Sequence, residues 1–455
     1  MSKLAFRAQT VDIACLPLRQ DLLAKNVLMT AQRDFQLGNS PFSFDTPMCL
    51  SYASYHPEED FFALQLLRHA QVGFGWCGTV FGLEPIITER KGVAMYRDNP
   101  LKKISWRGFQ KLTPKEKGPY FLRDRRPYHV LTAQQFDRSM LERICDLTTK
   151  IRMIGKTKGG IHFLQDLLSE KRAMLYFVQP STRTFLSFYA ACQIVGVEPA
   201  EVRDTATSSE VKGESPEDTV RTFSSYFDMI IMRHPVGGFA ERIAWLLSNS
   251  NRPVPVLNAG SGKDQHPTQA LLDIYTLQRS FENRGGIEGK KIAFVGDLAR
   301  GRTVRSLATL LLLFPGVKQY FVAPKELQIG EDIVGVLEKA GTEFEICEDF
   351  ESVIPEIDAI YMTRIQDEWD TAHESRLMDT SRYHFTARHL EILKPDAVIL
   401  HPLPRRKEIA VEVDSDPRAV YWRQVRNGMW VRAALMLTVF DRDGEIDRYH
   451  EDLVS

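Results

Sequence analysis

The chain has 455 residues, of which 44% are hydrophobic and 26% charged, with a formal net charge of −1. That length favours two to four domains, and the near-zero charge points to neither nucleic acid nor a membrane surface as a partner of the whole chain. Six cysteines, Cys15, Cys49, Cys77, Cys145, Cys192 and Cys347, form no CxxC pair, which argues against a disulfide framework or zinc knuckle and for a reducing cytosol.

In chain order, the opening MSKLAFRAQTVDIACL lacks a long apolar signal core and leaves open only a weak transit-peptide reading. One helix is expected over residues 57–70, followed by a Gly-interrupted aromatic stretch over 72–81. Residues 102–126 carry nine Lys or Arg against two acids. Such a charge run reads as a solvated connector rather than a polyanion site. A helix is predicted to start at Thr132, with Gln135 placed for a capping box. Phe136, Met140, Leu141, Ile144, Leu147 and Ile151 follow at helical spacing.

Nine short apolar runs come next, at 173–178, 201–203, 229–232, 254–257, 292–295, 320–322, 344–346, 359–362 and 397–400. Amphipathic stretches separate them. One spans 215–227, with Ser215 as N-cap, Pro216 at the first helical position and Asp218 closing the box. This alternation predicts an α/β protein with two doubly wound parallel-sheet domains, helices covering both faces. A hinge is expected in the Gly-rich stretch 283–289, and an apolar helix over 429–440 could pack back across it. The longest apolar run, 307–314, is too short to cross a bilayer. The domains are expected at 126–280 and 281–425, flanked by an N-terminal extension of unknown fold (1–125) and a C-terminal helix (426–455).

The chemistry-bearing residues sit where strands end. Pro180-Ser181-Thr182-Arg183-Thr184 lies between a strand and a helix, where free backbone N–H groups and the helix dipole converge. The hydroxyls and the guanidinium there suit a phosphate; simple N-capping accounts for the hydroxyls but not for the arginine. Arg233-His234-Pro235 ends the run 229–232, in the position where α/β sheets bind ligands, although a lone surface arginine would look the same. His266-Pro267-Thr268-Gln269 places His266 and Gln269 in one first helical turn. A single histidine is more often structural than catalytic. In the second half, Gly296-Asp297 to Arg302-Thr303 lacks GxGxxG spacing, so a dinucleotide loop is a weak reading. Thr363-Arg364-Ile365-Gln366 and His401-Pro402-Leu403-Pro404-Arg405 close two further strands.

Taken in order, STRT, RHP, HPTQ, GDxxxGRT, TRxQ and HPLPR resemble the aspartate/ornithine carbamoyltransferase family over about residues 128–445. HPLP, the absence of Ser-Met-Gly and the Arg364/Gln366 pair resemble its aspartate branch. The resemblance implies a carbamoyl phosphate-binding first domain, an aspartate-binding second domain, and carbamoyl transfer between those two substrates. It implies that Ser181, Thr182, Arg183 and Thr184 hold the phosphate, and that Thr184, Arg233 and His266 polarise the carbonyl like an oxyanion hole. Gln269 would hold the carbamoyl NH2 with backbone carbonyls near Leu403. Arg302 would take the α-carboxylate of aspartate, and Arg364 with Gln366 the β-carboxylate. Ser208 and Lys212 match a mobile loop that completes a neighbour's site, which implies a homotrimer. Neither metal nor organic cofactor is implied.

The chain departs from the pattern at several points. Phe185 and Tyr189 replace a usual Arg and Glu four residues apart, so an aromatic pair is expected for an ionic one. Gln179 stands where the family often has an acid that pairs with arginines in domain closure, Trp369 stands for one of those arginines, and Ser261 replaces a common Asp. An active enzyme with closure organised differently is the expectation. The alternatives are a transferase for another amino-acid acceptor and a scaffold that keeps the fold alone. Residues 1–125 are expected to be a packing extension rather than a regulatory or docking domain.

Overall fold

A computed structural model describes residues 98–203, 213–262, 265–365 and 381–455. The helix expected at 57–70, the aromatic stretch at 72–81, and Ser208, Lys212, Gln366 and Trp369 lie outside the described residues.

Two parallel sheets form the frame. The first contains β1 (Arg172–Phe177), β2 (Glu198–Val202), β3 (Met229–His234) and β4 (Val256–Ser261), in the order β2-β1-β3-β4. The second contains β5 (Lys291–Val295), β6 (Lys318–Val322), β7 (Phe344–Cys347), β8 (Ala359–Met362) and β9 (Val398–Leu400), in the order β9-β8-β5-β6-β7. All nine runs read from the sequence are strands. Both faces of the central strands are covered, so β3 and β8 are buried at every residue and their sequences are continuous apolar runs instead of alternating ones. Between them run α1 (Arg138–Ile154), α2 (Lys158–Asp166), α3 (Thr182–Val195), α4 (Pro216–Tyr226), α5 (Phe239–Ser248), α6 (Pro267–Phe281), α7 (Arg302–Leu311) and α8 (Glu331–Ala340).

The strand order fixes where a ligand can sit. In the first sheet the strand order reverses between β1 and β3, and in the second between β5 and β8. Crevices open at the carboxyl ends of strands at such switch points. Gly296, at φ +113°, makes the second one possible: a Cβ there would lie 2.3 Å from the Thr363 carbonyl oxygen, so only glycine lets the ends of β5 and β8 approach.

The expected start of the first helix needs correction. Residues 133–135 form a 3-10 turn instead, in which the Gln135 side-chain oxygen accepts from the Leu131 and Thr132 N–H groups at 2.7 and 3.2 Å. Phe136 is extended and α1 begins after Asp137, whose carboxylate accepts from the Met140 N–H at 2.8 Å. An aspartate three residues before a free N–H outcompetes the earlier threonine as a cap. Ser215 caps α4 as predicted, accepting from the Asp218 N–H at 3.1 Å.

The C-terminal helix α9 runs Tyr421–Val439 and is followed by α10 (Asp443–Val454). From Val431 to Val439 every residue of α9 is buried, on all sides, because it packs against α1, α3 and α6 together. Residues 98–127 pack through apolar anchors while seven of the nine basic residues in the 102–126 run stay exposed, so the charge run is solvated but the segment carrying it is no loose connector. Leu101, Phe109 and Phe121 share a core with Phe239, Ile243 and Leu247 of α5. The Trp245 indole N–H donates to the Ile104 carbonyl at 2.9 Å, and Lys117 pairs with Glu241 at 2.6 Å. Of the basic residues Arg123 serves packing, its guanidinium 3.4 Å from the centre of the Tyr128 ring, while the exposed Arg126 reaches Asp443.

Candidate active site

Both switch points face one cleft of about 510 Å³. Its lining includes Arg183, Arg233, Arg302, Arg364 and Arg432, and no Asp or Glu among the described residues. Ser181, Thr184, His266, Gln269 and Leu403, read from the sequence, line it too. Thr182 does not line the cleft; it sits exposed on the outer side of the same turn.

Local structure aims each group. Ser181 occupies the N-cap of α3, yet its hydroxyl makes no capping bond, so capping does not account for it. Arg183 crosses to the second lobe, where its Nη2 donates to the Leu403 carbonyl at 2.9 Å. That carbonyl is presented by a left-handed Leu403, φ 55°, whose N–H donates to His401 Nδ1 at 2.7 Å. His401 is itself clamped: Nε2 meets Glu408 at 2.8 Å and its N–H donates to Gln424 Oε1 at 2.9 Å. The motif's histidine thus lines the cleft while its polar atoms are spent on building the turn. Arg405 is likewise structural, bidentate on Asp414.

Arg233, 8% exposed at the end of β3, donates through Nη1 to the Ala259 carbonyl at 3.1 Å. Arg302 reaches from α7 to the first lobe, donating to the Gly262 carbonyl at 2.7 Å and to Gln179 Oε1 at 3.3 Å. The position where the family often has an acid thus still meets this arginine, but through a neutral amide. The other expected departure also takes form: Phe185 and Tyr189 are in ring contact at 5.9 Å, with the Arg203 guanidinium 4.5 Å from the Phe185 centroid. Arg364 donates to the Ile365 carbonyl at 3.0 Å.

The electrostatics follow from this crowd of cations. Burial, then the charge of Arg364, lowers the Arg183 pKa. Burial pushes Arg432 down to about 9. His266 is the N-cap residue of α6, fully buried, and its Nδ1 has no partner among the described residues. Burial first, then the charges of Arg302, Arg233 and Arg432, hold it well below the usual imidazole range. It is therefore a neutral imidazole at physiological pH.

This has a consequence for stability. Burial also keeps His129 and His401 neutral in the fold. The unfolded chain protonates each imidazole near its ordinary value of 6.5, so it binds more protons than the native state and stability rises with pH there. Asp273 has the opposite sign: its raised pKa, about 7, stabilises the fold at low pH and loses that effect as pH rises through neutrality. Burial lowers His234, to about 4, and His389 in the same direction, so one group stands against five and the histidines dominate. The melting temperature is expected to fall as pH is lowered from about 7 to 5.5; an increase would mean that the imidazoles charge within the fold.

Three residues around the cleft escaped the sequence reading. Arg432 of α9, 2% exposed, donates to Ser187 Oγ at 2.6 Å and to Thr268 Oγ1 at 3.3 Å. Gln424 and Asp273 stand behind Gln269, bonded to each other at 2.7 Å. A charge flanked by apolar residues within a helix was the available signal for Arg432 and Asp273, since buried charges are rarely idle.

Fold and site together define a two-lobed α/β enzyme for anionic substrates. Its first lobe, residues 128–279, matches the carbamoyl-P binding domain of aspartate/ornithine carbamoyltransferases, and residues 288–439 match their Asp/Orn binding domain. The chain is 42% identical over 312 residues to the chloroplastic aspartate carbamoyltransferase of Oryza sativa, covering 68% of this chain and 83% of that one. It is 41% identical over 315 residues to the aspartate carbamoyltransferase catalytic subunit of Vibrio cholerae, covering 69% and 96%. Among solved structures, Trypanosoma cruzi aspartate transcarbamoylase in complex with carbamoyl aspartate and phosphate superposes with a TM-score of 0.61 at 33% identity, covering 68% of this chain and 95% of that one. The chain belongs to the aspartate/ornithine carbamoyltransferase family.

Proposed function

We propose that this chain transfers the carbamoyl group of carbamoyl phosphate to the amine of L-aspartate, giving N-carbamoyl-L-aspartate and phosphate for pyrimidine biosynthesis. The observation that carries the reading is the convergence of five arginines on one cleft with no facing carboxylate among the described residues. A phosphorylated acyl donor beside a dicarboxylate brings close to that much negative charge. Ligands of lower charge would leave buried guanidinium groups uncompensated.

In this mechanism Ser181, Arg183 and Thr184, with the backbone N–H of Thr182, receive the phosphate at the start of α3. Thr184, Arg233 and His266 face the carbonyl oxygen, and a neutral His266 donates a hydrogen bond without consuming a proton. Gln269 accepts from the carbamoyl NH2. Arg302 takes the α-carboxylate of aspartate, and Arg364 with Gln366 the β-carboxylate. The amine lone pair forms the new C–N bond as the C–O bond to phosphate breaks. The departing phosphate takes the amine proton. Rate comes from positioning and oxyanion stabilisation by the chain's own groups.

Residues 126–280 serve as the donor domain, 281–425 as the acceptor domain, and the C-terminal segment from 426 braces the former. Ser208 and Lys212 reach a neighbouring subunit in a homotrimer. The free thiols of Cys145, Cys192 and Cys347 support a reducing, cytoplasmic setting.

The test is a carbamoyl-transfer assay with aspartate and ornithine side by side, with light scattering for assembly size. Aspartate is expected to be carbamoylated and ornithine not. Arg364→Ala is expected to lower kcat/KM for aspartate by about 10²-fold or more, from loss of a bidentate charged contact. Folded protein that carbamoylates neither amine would end this reading. A preserved activity on an acceptor lacking the second carboxylate would favour another amino acid.

A further inference from the structure

We propose that Asp273 is a positioning residue that holds the Gln269 side chain with its amide oxygen, and not its nitrogen, toward the bound carbamoyl group. The inference rests on the reading of Gln269 given above. Asp273 lies one helical turn beyond Gln269 on α6, fully buried. Gln269 Nε2 donates to its Oδ1 at 2.9 Å. Gln424 Nε2 donates to the same oxygen at 2.7 Å, and the Tyr361 hydroxyl donates to Oδ2 at 2.8 Å.

The directions of these bonds are fixed from outside. Gln424 cannot turn its oxygen toward Asp273, because that oxygen accepts the His401 N–H at 2.9 Å. An ionised carboxylate offers acceptors only. It therefore selects the nitrogen end of Gln269 and leaves the oxygen for the cleft. The two ends of a glutamine amide have nearly the same shape, so sterics alone would not choose between them. A flipped Gln269 would set its own N–H groups against the carbamoyl N–H groups. Burial raises the Asp273 carboxyl to about 7, opposed by hydrogen bonds from Gln424, Tyr361 and Gln269 and by the charge of Arg432. Three donors and a nearby guanidinium oppose that rise, so the carboxylate selects the Gln269 nitrogen at and above neutrality, where it is ionised.

The test is a double-mutant cycle on the full-length chain, reading kcat and KM for carbamoyl phosphate. Gln269→Ala is expected to lower kcat/KM by about 10- to 100-fold, the loss of one buried hydrogen bond. Asp273→Leu should cause a comparable loss, because leucine offers the Gln269 nitrogen no acceptor. The double variant should fall within about threefold of Gln269→Ala, since the second change has nothing left to misplace. Multiplied losses, or an Asp273→Leu enzyme indistinguishable from wild type, would overturn the inference. An unaffected Gln269→Ala enzyme would instead defeat the underlying role of Gln269. Should Asp273→Leu not fold, Gln269→Glu decides the matter. A carboxyl facing Asp273 must stay protonated to mimic the amide, so its activity should fall as pH rises through neutrality; a flat profile overturns the proposal.

Discussion

Replacing Arg233 by alanine is expected to lower kcat by about 10²- to 10³-fold, the usual loss when one oxyanion donor is removed. The guanidinium is buried at the end of β3 and fixed by the Ala259 carbonyl at 3.1 Å. It does not have to reorganise as charge builds on the carbonyl oxygen, and it acts where water is scarce, so its field is strong. Two secondary effects push the same way. The Ala259 carbonyl loses this donor, and His266 loses one of the three positive charges that depress its pKa. Arg233→Lys keeps the charge but not the fork, so a partial loss is expected. The check is kcat at saturating concentrations of both substrates, alongside a thermal melt. A raised KM with unchanged kcat would mean that Arg233 holds ground-state substrate only.

How far the sequence announced this arrangement depends on the kind of signal. Strand ends were legible because both faces of each sheet are covered, so the runs at 229–232 and 359–362 stand out as unbroken apolar blocks. Motifs immediately after such runs had to lie at strand carboxyl ends, and their convergence followed from parallel topology. Boundaries were less legible. β4 runs on to Ser261, past the apolar run, because its polar residues are bonded within the fold: Asn258 donates to the Leu131 carbonyl at 3.0 Å. Residues 98–127 looked like a charged connector because their apolar anchors, Leu101, Phe109 and Phe121, sit on short elements with no period to detect. Contacts made by backbone carbonyls and by residues far apart in sequence, such as Arg183 on Leu403 or Gln424 on Asp273, leave no local pattern at all.

Gly260 is the point where these separate elements depend on one missing atom. Its φ of +114° is a conformation that side-chain-bearing residues avoid, at a cost of roughly 1–3 kcal/mol. A Cβ there would stand 2.6 Å from Arg233 Nη1, 3.3 Å from His266 Cδ2 and 3.4 Å from the Arg302 guanidinium carbon. Gly260→Ala must therefore displace Arg233, which gives up its bond to Ala259, and crowd the other two groups at once. The expected result is a loss of kcat/KM of about 10³-fold or more, since misplacing preorganised donors costs at least as much as removing one. Gly285→Ala separates this from backbone strain. Its φ is +79°, but nothing lies within 4 Å of the added carbon. It should lower the melting temperature by a similar few degrees and leave turnover intact. If Gly260→Ala melted lower yet turned over at the wild-type rate, the Arg233, His266 and Arg302 cluster would have no part in the chemistry.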